Sequence, residues 1–198
     1  MIEFNLDSIT FRHGLAADSV RIAALHTASW RSAYRGILPD TYLDGEIVQE
    51  RLGLWKKRLS SSDTDRRLVL LAEDPLELAG FVYVLLDEEP EWGAYLDNLH
   101  VRSDIQGRGL GRRLFAEAAR WVAGMEPGWP IHLWVFEANR KAGGFYERFK
   151  GEVVAREIKR MPGGAEVWSL RYVWRDVGML LNYLDDHRTA LSSGGMAY

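Results

Sequence analysis

The stretch Ile105-Gln106-Gly107-Arg108-Gly109-Leu110-Gly111-Arg112-Arg113-Leu114 lies between an apolar run and a helical pattern, and its reading decides the fold. Glycines at 107, 109 and 111 let the backbone turn sharply and come close to a ligand, because no Cβ intervenes. The apolar residues that follow, Leu110, Leu114, Ala118, Trp121 and Val122, recur at helical spacing, so the glycines stand where a strand hands over to a helix. The first N–H groups of a helix lack intrahelical partners, and its dipole favours negative charge there. Arg108, Arg112 and Arg113 add cations suited to a diphosphate. The competing reading is a plain tight turn with solvent-facing arginines. Two common phosphate loops do not fit. The G-x-x-x-x-G-K-[ST] run is missing, and G-x-G-x-x-G would need glycine at 112, where Arg112 stands.

Working outward, residues 8–14 alternate enough for a first strand, and a helical pattern runs from about 17 to 34 with Asp18 as a candidate cap. Ala23, His26, Trp30 and Tyr34 share one face of that helix. A break at 36–39 precedes a second helical region and a polar turn at 60–65. "RRLVLLAED" and "LAGFVYVLLD" predict a hairpin, and residues 93–101 a fourth strand. Beyond the glycines come a helix ending near Gly124, a fifth strand in "PIHLWVFEAN", and a short helix stopped by Gly151. A hairpin turning at Pro162-Gly163-Gly164 follows, then one more helix before a loose tail. Hairpins mixed with crossovers predict a single α/β or α+β domain.

Composition narrows the function. A chain of 198 residues suits one domain with a substantial core. Its net charge of −3 argues against a nucleic-acid partner. The absence of cysteine excludes disulfides and a cysteine nucleophile, and no two histidines sit at metal-ligand spacing with a carboxylate, so no metal is expected. No signal-like N-terminus or apolar run of membrane length is present, which predicts a cytoplasmic protein without a membrane partner.

Gln106-x-x-Gly109-x-Gly111 after "YLDNLHV", followed by Asn139-x-x-Ala142-x-x-Phe145-Tyr146-Glu147, resembles the GNAT superfamily of acetyl-CoA-dependent N-acetyltransferases, as small bacterial members carry it. "HTASWRSAYRGILP" is similar to the first-helix region of such members. Lys150-Gly151-Glu152 departs from the pattern, where many relatives have a glycine followed by an aromatic. The resemblance covers most of the chain and implies a GNAT domain over residues 1–175, with a C-terminal helix and tail at 176–198. It implies a mixed, mostly antiparallel sheet of about seven strands, splayed in a V between strands 4 and 5.

The resemblance also implies site roles. Acetyl-CoA would be the cosubstrate. Its pantetheine arm would bond the backbone around Leu99, His100 and Val101, and its pyrophosphate the backbone of Gln106, Gly107, Arg108, Gly109, Leu110, Gly111 and Arg112. Tyr146 matches the motif tyrosine that donates a proton to the departing thiolate; taken alone it reads as a core aromatic. Asn139 either caps the following helix or bonds the cofactor. Strand alternation puts Tyr95, Asp97, Leu99 and Val101 on one face and Asn98 and His100 on the other. On that basis Asp97 is the first candidate base, with a role in binding a cationic substrate as the alternative, and Glu91 is the second. His100 as a side chain reads as structural. Trp30 and Tyr34 are either an acceptor-pocket wall or plain core.

The leading expectation is transfer of acetyl from acetyl-CoA to the primary amine of a small molecule by direct attack in a ternary complex. The alternatives are a protein N-terminal or lysine acetyltransferase, a non-catalytic acyl-CoA sensor on the same fold, and an enzyme acting on charged tRNA. A homodimer is also consistent with the resemblance, with residues 176–198 as a contributing segment.

Overall fold

The computed structural model describes residues 4–60 and 65–192, with side chains to 186. One seven-stranded sheet runs through the molecule in the order β1-β2-β3-β4-β5-β7-β6. Its strands are β1 (Thr10–His13), β2 (Arg67–Glu73), β3 (Leu78–Leu85), β4 (Ala94–Val101), β5 (Ile131–Phe136), β6 (Glu152–Arg160) and β7 (Glu166–Trp174). All neighbours pair antiparallel except β4 and β5, which are parallel. The helices are α1 (Ser19–Tyr34), α2 (Asp40–Asp44), α3 (Ile47–Ser60), α4 (Leu110–Met125), α5 (Arg140–Arg148) and α6 (Val177–Ser192). Both expected hairpins form, and the region after Gly36 divides into two helices, α2 and α3, rather than one. The expected polar turn at 60–65 lies mostly outside the described residues, as does the tail after 192.

Period-two alternation buries both sheet faces. On one face Val82, Val84, Leu96 and Leu133 pack with Leu110, Leu114, Phe115 and Val122 of α4, and Val177, Leu180 and Leu184 of α6 extend that core. On the other, Val69, Leu71, Phe81 and Tyr83 meet Ile22 and Leu25 of α1 and Trp55 of α3. A third cluster joins Trp30, Leu38, Tyr42, Leu43 and Ile47 to Val167 of β7. At roughly 25 cal/mol per Å² of apolar area, burial of this kind is what holds both helical layers on the sheet.

β4 departs from simple alternation, and this corrects the face assigned to Asp97. Tyr83 opposes Asn98 while Val84 opposes Leu96, so Asp97 is the extra residue of a β-bulge. The bulge resets the pleat. Leu99 and Val101 turn toward α4, whereas Asp97 joins Asn98 and His100 on the face covered by α1 and α3.

β4 and β5 pair through Ala94↔Ile131 and Tyr95↔His132, and no pairing continues beyond that among the described residues. β4 itself runs on to Val101, so the two strands diverge after these two pairs. That is the expected splay.

Candidate active site

The chain leaves β4 through Gln106, whose side-chain amide donates to the Val101 carbonyl at 3.0 Å and accepts from Lys141 Nζ at 2.5 Å. Those two bonds brace the mouth of the splay, tying the end of β4 to the start of α5. Gly107 (φ +82°) and Gly109 (φ +89°) lie in the left-handed region, which side chains rarely adopt. Gly109 is the N-cap of α4 and supplies no side-chain cap, so the first amides of the helix are open to an anion.

The arginines divide differently from expectation. Arg112 is buried, and its guanidinium donates to the Leu184 carbonyl of α6. That of Arg113 donates to the Leu6 carbonyl and lies over Phe11 at 5.1 Å. Both guanidiniums are spent on backbone carbonyls, although Arg112 still lines the cavity described below; Arg108 is exposed, with its guanidinium over Phe4 at 5.8 Å.

A cavity of about 1020 Å³ gathers residues from both sides of the splay. It includes Gly107, Gly109 and Gly111 of the loop, Leu99 and Val101 of β4, and Phe145 and Tyr146 of α5. Toward α1 and α3 it includes His26, Ser29, Trp30, Tyr34, Arg51, Arg58, Asp97, Asn98 and His100. Exposed Glu91, the second base expected from sequence, stands outside the lining, whereas Glu89 is part of it.

Tyr146 is held between elements. Its ring meets Phe115 of α4 edge-on at 5.9 Å and Trp174 of β7 at 5.7 Å, and α5 is tied to β7 by the Trp174 indole donating to the Phe149 carbonyl at 2.7 Å. Burial, with the neighbouring Tyr34 phenol, pushes the Tyr146 hydroxyl well above its ordinary pKa, so it stays protonated. Asn139 caps α5, accepting from the Ala142 amide at 3.2 Å. Burial pushes the phenol of Tyr34, near Asn139, up to about 12. The stripe on α1 forms as expected, with His26–Trp30 and Trp30–Tyr34 centroids 5.5 and 5.0 Å apart.

Asp97 lies in a polar knot. Arg58 Nη2 pairs with it at 2.5 Å, and Asn98 donates to it at 2.6 Å. His100 faces His26 at 4.7 Å between ring centroids and shares a 2.8 Å hydrogen bond with Ser29. His26 accepts from the Trp55 indole at 3.0 Å. Burial holds His26 far below its usual pKa and His100 down to about 3, and the Arg51 charge acts in the same direction, so both imidazoles are neutral.

Sequence reasoning missed Arg51 and Arg58. Their signal was legible: Ile47, Arg51, Trp55 and Arg58 form one helical stripe, and arginines on an apolar stripe ask for a reason. Among the described residues no group of three His, Asp or Glu side chains could hold a metal ion, and no helix is long and apolar enough to cross a membrane.

Residues 23–151 match the model of the Acetyltransferase (GNAT) family. The Bacillus subtilis protein named Uncharacterized N-acetyltransferase YuaI is 26% identical over 181 residues, covering 89% of this chain and 99% of its own. The Mycobacterium tuberculosis protein named Probable N-acetyltransferase Rv2775 is 29% identical over 141 residues, 71% and 78% of the two chains. The fold is similar to that of the PaiA N-acetyltransferase of Thermoplasma acidophilum, solved in complex with coenzyme A. The TM-score is 0.64 at 19% identity, over 82% of this chain and 98% of that one.

Proposed function

The chain belongs to the Acetyltransferase (GNAT) family and is an acetyl-CoA-dependent N-acetyltransferase; from that premise we propose that it acetylates the primary amine of a small molecule by direct attack in a ternary complex. The observation that carries this reading is convergence. The open backbone of β4, the uncapped start of α4 and the Tyr146 phenol meet in one cavity with room for a second ligand.

These residues fit the cosubstrate. On this reading the backbone of Leu99, His100 and Val101 takes the place of a strand's partner for the pantetheine amides. The amides of residues 107–112, with the charge of Arg108, receive the pyrophosphate. Gly111 lines the cavity, and a Cβ there would come no nearer than 3.7 Å to other protein atoms, so its bareness serves the ligand rather than the fold. Trp30 and Tyr34 wall the acceptor.

The neutral amine attacks the thioester carbonyl carbon; the N–C bond forms, the C–S bond breaks, nitrogen loses a proton and sulfur gains one. Asp97, the carboxylate on the β4 floor, receives the amine and takes its proton through water. Tyr146 donates toward sulfur. An ordinary phenol (about 10) and thiol (about 8.5) differ by about 2 kcal/mol against full transfer, and burial of Tyr146 widens that gap. A strong hydrogen bond in the transition state is therefore its main service, with solvent completing protonation.

Calorimetry with coenzyme A, followed by thiol release from acetyl-CoA across an amine panel, tests the reading. Micromolar binding and amine-dependent release are expected. Binding without release from any amine would favour an acyl-CoA sensor, and absence of both would remove the reading.

A further inference from the structure

We propose that the acceptor is an amine that also bears a carboxylate, an α-amino acid or close relative, with Arg51 and Arg58 of α3 as the carboxylate-binding pair. This rests on the acetyl-transfer reading and names the substrate class of the same site.

Two observations carry it. The first is unspent hydrogen-bonding capacity. Arg51 is 6% exposed, its plane stacks on Trp30 at 4.0 Å, and its Nη2 serves Glu50 at 2.6 Å and the Tyr42 hydroxyl at 3.2 Å. Its Nε has no partner among the described residues. Arg58 packs over Tyr83 at 4.5 Å and commits Nη2 to Asp97, while its Nη1 is equally without a partner. A buried N–H left unpaired costs about 1–3 kcal/mol, and more when the group is charged. Both residues line the cavity while these two nitrogens are themselves covered, so a guanidinium turned toward a ligand oxygen would remove that cost. Arg also suits this task because its planar fork matches a carboxylate.

The second is the local charge balance. The cavity's carboxylates are already engaged or peripheral: Asp97 by Arg58, Glu89 by Arg171, and Glu88 exposed at the surface. His26 and His100, between the arginines and the sheet, contribute no charge. Arg51 and Arg58 are paired in turn with Glu50 and Asp97, so a substrate cationic at both ends would find no unpaired carboxylate for its second ammonium. An amine with a nearby carboxylate matches instead, its nitrogen toward Asp97 and the thioester and its anion toward α3.

The test compares thiol release from common amino acids and their carboxamides, with spermidine as a dication control. Wild-type enzyme is expected to use at least one acid about tenfold better in kcat/KM than its amide. Arg51→Gln and Arg58→Gln should each erase that preference, with the loss in KM for the acid rather than KM for acetyl-CoA. Asp97→Asn should depress acid and amide alike. Equal use of acid and amide, preference for spermidine, or coenzyme A binding with no release from any amino acid would each overturn the inference. Failure of coenzyme A to bind would instead strike the underlying reading. Should Arg51→Gln not fold, the wild-type acid-to-amide ratio and Arg58→Gln decide the matter.

Discussion

At the scale of single residues, Tyr146 and Lys150 show how one helix end serves chemistry and strain together. Tyr146 is 7% exposed and lines the cavity, so Tyr146→Phe should remove a donor without removing packing. Loss of a proton-donating group lowers turnover by about 10²-fold, and kcat is expected to fall by that order while acetyl-CoA affinity holds. Steady-state kinetics beside calorimetry read the two separately. Lys150, just past α5, sits at φ 62° although it carries a side chain. A left-handed L-residue costs about 1–2 kcal/mol and glycine regains part of it, so Lys150→Gly should stabilise the fold by about 0.5–1 kcal/mol in urea unfolding. The neighbouring Gly151 has no such latitude, since a Cβ there would stand 2.7 Å from the Trp174 ring.

At the scale of elements, the turn into α4 separates conformation from space. Gly109 is left-handed, whereas Gly111 is ordinary helix with room around it. Gly109→Ala should therefore lower the melting temperature and weaken coenzyme A binding by about tenfold, because about 1–2 kcal/mol of strain falls on the helix start. Gly111→Ala should weaken binding with little change in melting temperature. If both variants melt and bind alike, the division fails. The existence of these elements was legible in period-two and helical patterns. The bulge at Asp97 was not, because it arises from the mismatch between β3 and β4 rather than from either strand. Alternation counted along β4 alone consequently placed Asp97 with Leu99 and Val101, the wrong face.

At the scale of the molecule, a charge network fastens the first strand to the helical layer. Arg12 of β1 bonds Asp18, just before α1, at 2.7 Å, and Glu73 of β2 at 2.8 Å; Arg21 of α1 joins them. The hydrogen bonds from Arg12 hold the buried Asp18 carboxyl below its ordinary pKa. With the folded value depressed, the stabilisation is full above the unfolded carboxylate range near ~4 and is lost as pH falls through the folded value. Asp18→Asn should cost about 1–3 kcal/mol at pH 7, and the gap from wild type should close below about pH 4. Denaturant curves at pH 7 and pH 3 check both parts. The same network explains why Asp18, expected as a simple cap, accepts from no backbone amide of α1: its oxygens go to Arg12, to Arg21 and to the Leu15 amide at 2.8 Å.

The sequence by itself determined the order of strands and helices, the glycine-marked start of α4 and the Asn139–Tyr146 motif, because period, turn chemistry and helix-start physics are local. Tertiary structure alone decided what each arginine's guanidinium meets. Arg112 and Arg113, beside the glycines, are pulled into packing with α6 and the N-terminal segment, while Arg51 and Arg58, far away in the chain, are brought beneath the splay. The direction of a long cationic side chain is set by the carbonyls, rings and carboxylates that folding delivers to it, and those come from elements its own neighbourhood in the chain does not contain.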